Sequence, residues 1–159
     1  MTNNSTTTEI ITLLEGAWQG QGHGQFPTVT SFDYREMLTF TRRNEKTLAY
    51  EQRTQKRYDG TNEFVESHWE NGFIRVLESG QLELISAQIG RSEVLIGSVE
   101  RLATMIRISF VSKTISNDPR MISSARSFEL EGDTLRYTME MQTTAVDQST
   151  QHLKITLQR

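Results

Sequence analysis

Gly16-Ala17-Trp18-Gln19-Gly20-Gln21-Gly22-His23-Gly24-Gln25-Phe26-Pro27-Thr28-Val29 is the stretch whose reading decides the fold. Extended, it places Gly16, Trp18, Gly20, Gly22, Gly24 and Phe26 on one face and Gln19, Gln21, His23 and Gln25 on the other, because side chains alternate along a strand. Glycine loses more backbone freedom on folding than any other residue, so a row of it on one strand face needs a physical reason. Two reasons are compatible here. Glycines let a first strand bend sharply where a barrel closes. A face without side chains also leaves room for a flat ligand, with Trp18 as its floor. The stretch is not a phosphate loop, since no Lys-Ser/Thr follows and no strand-to-helix transition is present to cradle an anion.

Working outward, residues 1–8 are polar and read as a disordered tail, with neither the basic nor the apolar segment of a signal peptide. Thr8 is the expected N-cap of one or two helical turns that carry Ile10, Ile11, Leu13 and Leu14 and stop at Gly16. Downstream the period is two. Tyr34, Leu38 and Phe40 share a parity, as do Leu48 and Tyr50, then Leu102, Ile106, Ile108 and Phe110. Ile122, Phe128 and Leu130 continue it, followed by Leu135, Tyr137, Met139 and Met141. Turn chemistry is expected at Asn44-Glu45-Lys46, Asp59-Gly60, Asn71-Gly72, Ser79-Gly80 and Gly132-Asp133, and both prolines, Pro27 and Pro119, sit where the alternation breaks. This rhythm describes an all-β antiparallel meander that closes into a barrel or folds into a sandwich. Residues 9–159 form one domain, without a linker or an internal repeat.

Composition narrows the function classes. With 159 residues and no cysteine, the chain has room for a core and no thiolate, disulfide or cysteine nucleophile. Lys+Arg number 17 against 20 Asp+Glu, a net charge of −3, with no basic stripe to follow a nucleic-acid backbone. The cluster Arg53-Thr54-Gln55-Lys56-Arg57 reads as a solvated strand face. No apolar run approaches the roughly 20 residues that span a bilayer. A soluble, cytoplasmic protein is the expectation.

The glycine stretch resembles the opening of the nitrobindin family, Gly-x-Trp-x-Gly-x-Gly-x-Gly-x-Tyr-Pro-Thr-Ile, with Phe26 in place of Tyr and Val29 in place of Ile. Phe32-Asp33-Tyr34-Arg35-Glu36 is similar to that family's Phe-x-Tyr-x-Glu, and His68-Trp69-Glu70-Asn71-Gly72-Phe73-Ile74-Arg75 to its His-x-Glu-x-Gly-aromatic-x-Arg. Phe128 to Tyr137 looks like its late hairpin and His152-Leu153-Lys154-Ile155-Thr156-Leu157 like its terminal His-Leu strand. Asn117-Asp118-Pro119-Arg120-Met121 diverges. The resemblance covers nearly everything after the tail. It implies an antiparallel up-and-down barrel of about ten strands with a short N-terminal helical turn.

It also implies haem b as cofactor, with His152 as the iron ligand. Thr28 matches a position near the haem, and Arg120 lies where relatives often carry Lys, within reach of a propionate. Trp18, Gly20, Gly22 and Gly24 would line the haem cavity. His68 falls on the segment resembling the distal side and would hydrogen-bond or crowd a ligand; His23 is expected to be exposed and inert. Nitrobindins bind nitric oxide and isomerise peroxynitrite to nitrate, so the implied function is that of a ferric haem protein acting on these small molecules. The enzymatic label follows only from the resemblance, and a homodimer is left open. The alternative is a non-enzymatic carrier of a small apolar ligand in a fatty-acid-binding type of barrel. A third reading, a hydrolase using His68 with Glu66 or Glu70, lacks a nucleophile.

The parity of the last strand poses a problem for His152. Leu153, Ile155 and Leu157 share one face, so a regular strand would aim His152 with Lys154 and Thr156. Either the side of Lys154 and Thr156 faces the cavity there, or a β-bulge at the strand start re-aims His152, and the bulge is the expectation.

Overall fold

The glycine strand is the seam at which the sheet closes. In the computed structural model, which describes residues 3–159, β1 (Gly16–Phe26) pairs with its neighbour β2 (Val29–Asn44) and also with the last strand, β10 (Thr150–Gln158). Between them run β3 (Thr47–Tyr58), β4 (Val65–Val76), β5 (Leu82–Gln88), β6 (Arg91–Leu102), β7 (Met105–Ser116), β8 (Met121–Glu131) and β9 (Thr134–Thr143). Each pairs antiparallel with the next, and the ten strands make one closed up-and-down barrel. Closure gives every strand a paired neighbour on each side.

Close approach of the strands explains the glycines. A Cβ on Gly20 would run into the Thr156 carbonyl oxygen of β10, and one on Gly22 would stand 2.5 Å from the Lys154 carbonyl oxygen. A Cβ on Gly24 would enter the Phe32 ring. The bare face is therefore filled by neighbouring backbone and an aromatic ring, and it leaves no slot for a flat ligand there. The same holds for Asn71-Gly72, which is not a turn but lies inside β4. A Cβ on Gly72 would strike the Ile85 carbonyl oxygen. The other expected turns fall between strands.

One end of the barrel is plugged. Helix α1 (Asn3–Leu14) begins five residues before the expected Thr8 cap, so that much of the segment read as a tail is helical; Met1 and Thr2 lie outside the described residues. Ile10, Ile11 and Leu14 are fully buried, a burial that stabilises by about 1.5–3 kcal/mol per side chain. The helix C-terminus is tied down by the last residue. Arg159 donates to the carbonyls of Leu13 and Glu15 at 3.1 and 3.2 Å and lies 4.6 Å over the Trp18 ring. Trp18 itself donates from Nε1 to the Leu14 carbonyl at 2.8 Å. It is the floor of the plugged end.

Above the plug, Leu38, Phe40, Leu48, Ile74, Leu84, Leu95, Phe110 and Phe128 pack as the apolar core. The parity groups predict this well, apart from Leu102 and Met141, which are only partly buried, and Ile122. Ile122 is exposed, because the β8–β9 register slips between Met121 and Ser123 and turns the side chain outward. At the other end of the barrel the turns after β1, β3, β5, β7 and β9 surround an open mouth, and Pro27 and Pro119 lie in two of them.

Candidate functional site

The mouth opens into a cavity of about 330 Å³. Its walls are apolar on one side, with Phe32, Met139, Met141 and Leu153, and polar deeper down, with Tyr34, Gln52 and Glu70. Val29 and Ile89 stand exposed at the rim.

His152 is brought there by a bulge at the start of β10. The β10–β9 register runs Gln151 opposite Glu140 and then Leu153 opposite Met139, leaving His152 as the extra residue. Both His152 and Leu153 consequently face the cavity. The His152 Nδ1 lies 3.1 Å from the Gln25 carbonyl oxygen. A carbonyl can only accept, so Nδ1 carries the proton and the Nε2 lone pair is bare. Phe26 and Phe32 meet the ring edge-on, with centroids 5.7 and 6.3 Å away. Burial lowers the imidazole pKa, against the pull of the Gln25 hydrogen bond, and the nearby Arg91 and His68 lower it further. The ring is neutral, fixed in tautomer and fixed in orientation.

Across the cavity, His68 also owes its position to a bulge. The β3–β4 register slips between Thr54 and Gln55, leaving Ser67 as the extra residue. His68 stays on the inner face with Glu70, while Glu66 is turned outward to accept a hydrogen bond from Gln55 at 2.7 Å. Glu66 and His68 therefore do not share a face, which removes the first of the two hydrolase pairs. The His68 Nε2 lies 3.2 Å from Glu70 Oε2.

Glu70 belongs to a buried charge network that the sequence reading missed. Arg126, on β8, contacts Glu70 Oε1 at 2.5 Å and Glu93 Oε2 at 2.8 Å, and all three side chains are almost fully buried. The Tyr50 hydroxyl donates to Glu70 at 2.5 Å and the Ser124 hydroxyl to Glu93 at 2.8 Å. Burial alone would raise the Glu70 pKa, but Arg126 and hydrogen bonds from His68 and Tyr50 hold its carboxyl well below the usual range. Glu70 is ionised. Glu36 is the opposite case: neither of its oxygens has a hydrogen-bond partner among the described residues, and burial pushes its pKa up to about 7. The Tyr34 hydroxyl beside it is likewise buried and unpaired. Inward acids, amides and an arginine break the apolar parity that betrays a core, so no pattern in the sequence separates these positions from outward ones.

The remaining predicted site residues divide by location. Thr28 lies in the β1–β2 turn and lines an adjoining cavity of about 430 Å³, which shares His152, Arg91, Asp118 and Arg120 with the first. Arg120 is exposed and held by Asp118 at 2.9 and 3.1 Å. Trp18, Gly20, Gly22 and Gly24 line neither mouth cavity. His23 is exposed and lies 3.1 Å from Asp33. Within the basic cluster, Thr54 and Lys56 line the cavity while Arg53 points outward over Trp69. Lys56 has no carboxylate partner among the described residues.

A closed barrel whose open end presents a neutral, preset imidazole between an apolar wall and a polar floor defines a ligand-binding β-barrel equipped for a metal-centred cofactor. The chain belongs to the THAP4-like, heme-binding beta-barrel domain family, which it matches over residues 8–159. It is 36% identical over 150 residues to a peroxynitrite isomerase of Nocardia farcinica, covering 92% of this chain and 86% of that one. It is also 36% identical over 151 residues to peroxynitrite isomerase 1 of Mycolicibacterium paratuberculosis, covering 92% and 90%. The crystal structure of Rv2717c from M. tuberculosis superposes with a TM-score of 0.82 at 27% identity, over 96% of both chains. Haem is the cofactor of this family, and the mouth fits it in three ways. Nε2 is left bare by the bond of Nδ1 to the Gln25 carbonyl, one wall is apolar, and the cavity is open to solvent. Among the described residues no helix is long and apolar enough to cross a membrane.

Proposed function

We propose that the chain binds haem b through His152 Nε2 and, with the iron ferric, isomerises peroxynitrite to nitrate and binds nitric oxide. The observation that carries this reading is the His152 ring, neutral and committed at Nδ1 to a carbonyl acceptor. The names of the relatives support the reaction. Bound ferric haem would supply a Lewis-acidic, redox-active iron at which the peroxide O–O bond can break.

The chain's own residues do the rest. His152 would hold the iron, while Phe26 and Phe32 stop its ring from turning. Phe32, Met139, Met141 and Leu153 offer apolar surface to the porphyrin. Lys56, a cation without a carboxylate partner at the mouth, is better placed than Arg120 to meet a haem carboxylate, since Asp118 already occupies Arg120. The turns around the mouth are short except residues 59–64 and 144–149, so a small anion reaches the cavity from solvent without a lid having to open. The net charge of −3 gives that anion no long-range steering, and the rate should respond weakly to salt.

Titration with hemin tests the reading. The expected result is a Soret band of histidine-ligated ferric haem that His152→Ala abolishes or strongly alters, and faster peroxynitrite decay towards nitrate with holoprotein than with apoprotein. An unchanged spectrum in His152→Ala removes the ligand assignment. Equal decay with and without haem leaves a carrier.

A further inference from the structure

His68 lines the cavity, and its Nε2 is committed to Glu70. The acid is ionised and nearly inaccessible, anchored from behind by Arg126 and Tyr50. An ionised carboxylate can only accept, so Nε2 must carry the proton. In the neutral ring this leaves Nδ1 as a lone pair, the only polar atom His68 has left to offer a ligand. The logic is the one that fixes His152, with the nitrogens exchanged. At His152 a carbonyl holds Nδ1–H and frees Nε2; at His68 a carboxylate holds Nε2–H and frees Nδ1.

We propose that Glu70 is a positioning residue that locks His68 in its Nε2–H form, so that the neutral ring accepts a hydrogen bond from a ligand in the cavity and does not donate one. The ligand form this favours is a protonated one with an O–H to give, such as the conjugate acid of a peroxy anion. A bare anion would find a hydrogen bond from His68 only when the ring is an imidazolium. The consequence for ligands rests on the cavity being the haem-ligand site, whereas the tautomer itself does not.

Arg126 extends the argument one shell further. Its guanidinium is shared between Glu70 and Glu93, and Glu93 is held in addition by Ser124 and by Gln88 at 3.0 Å. The carboxylate that orients His68 is thus fixed by groups from β3 and β8 and cannot follow the ring if it turns. A buried carboxylate held from several directions in this way keeps one geometry.

Long-range proton–nitrogen correlation spectra of the full-length chain test the proposal. They should be recorded above the imidazole titration, both without haem and loaded with diamagnetic zinc protoporphyrin. The expected result is a neutral His68 protonated at Nε2 in both samples. In Glu70→Gln, whose amide can donate as well as accept, the Nδ1–H form should appear in a substantial share of molecules. Wild-type His68 protonated at Nδ1 would overturn the proposal, as would a folded Glu70→Gln with an unchanged tautomer. Should Glu70→Gln fail to fold, Tyr50→Phe, which removes one hydrogen bond to the carboxylate and no charge, should loosen the tautomer preference, and no change there would count against it. None of these readings depends on catalysis, so they stand or fall separately from the isomerase assignment.

Discussion

The two ends of the barrel are built from the same strands by opposite rules. At the plugged end the inward positions are apolar and packed to contact: Trp18, Leu38, Phe40, Leu48, Ile74 and Leu157 are nearly or fully inaccessible, and α1 seals them. Toward the mouth the inward positions of those strands become Glu36, Tyr34, Gln52, Thr54, Glu70 and His68. Stability resides in the first half, where burial is favourable at each position. The second half contains charges that burial disfavours and bulges that interrupt the hydrogen-bond ladder, and both features put side chains where a ligand can use them. A barrel can hold a polar site because its other end pays for it.

The sharpest way to break this comparison is to alter one side chain at the closing seam and one at the mouth. Gly20→Val drives a branched side chain into the Thr156 carbonyl at the closing seam and should cost more than about 4 kcal/mol, measured by denaturant unfolding. Ile89→Ala at the mouth, where the side chain is 79% exposed, should stay within about 0.5 kcal/mol. A tolerated valine at Gly20 would mean that the seam is not closely packed and would reopen the bare face as ligand space.

Glu36, opposite Gly20 in the β1–β2 register, sits where the two halves meet. Its folded-state pKa of about 7 lies above the 4.5 of the free acid. Between those values the unfolded chain has released a proton that the folded chain keeps, so stability should fall as pH rises from about 4.5 to 7. The loss should be roughly 3 kcal/mol. Glu36→Gln removes the titrating group and should flatten that part of the pH–stability profile. A profile that keeps its slope in the variant would show that Glu36 ionises freely and that the boundary is wetter than its burial indicates.

The smallest effect is expected at Arg120. Its ion pair with Asp118 is exposed, so Arg120→Ala should change stability by less than about 1 kcal/mol and hemin affinity by only a few-fold. Lys56→Ala should weaken hemin binding more than Arg120→Ala does, and the reverse order in a hemin titration would return the propionate contact to Arg120.

How much of this was legible beforehand depends on the kind of residue. Parity and turn signals sufficed for the all-β class, because an apolar side chain on every second position has little choice but the core. They also exposed the conflict at His152, where the face shared by Leu153, Ile155 and Leu157 left either a cavity-facing polar side or a bulge, and the register shows the bulge. Position in the terminal His-Leu strand was enough to single that histidine out. Asn71-Gly72 misled because the same dipeptide serves a turn, where glycine supplies a left-handed backbone, and a strand interior, where it admits a neighbouring carbonyl. The use of the glycine face was likewise open until β10 was seen to fill it.

What the sequence by itself determined is the antiparallel all-β class, which follows from local periodicity, and the barrel, its family and the histidine now seen at the mouth, which follow from the resemblance carried by motifs contiguous in the chain. What only the tertiary structure decided is which acceptor each of the two imidazoles meets and which charge anchors one of those acceptors. The Gln25 carbonyl is 127 residues from His152, and Arg126 is 56 residues from Glu70. A proton's position on a ring is set by whichever acceptor the fold brings within about 3 Å of it. Partners that meet only when β10 closes on β1, or when β8 faces β4 across the barrel, leave no periodic trace in the chain.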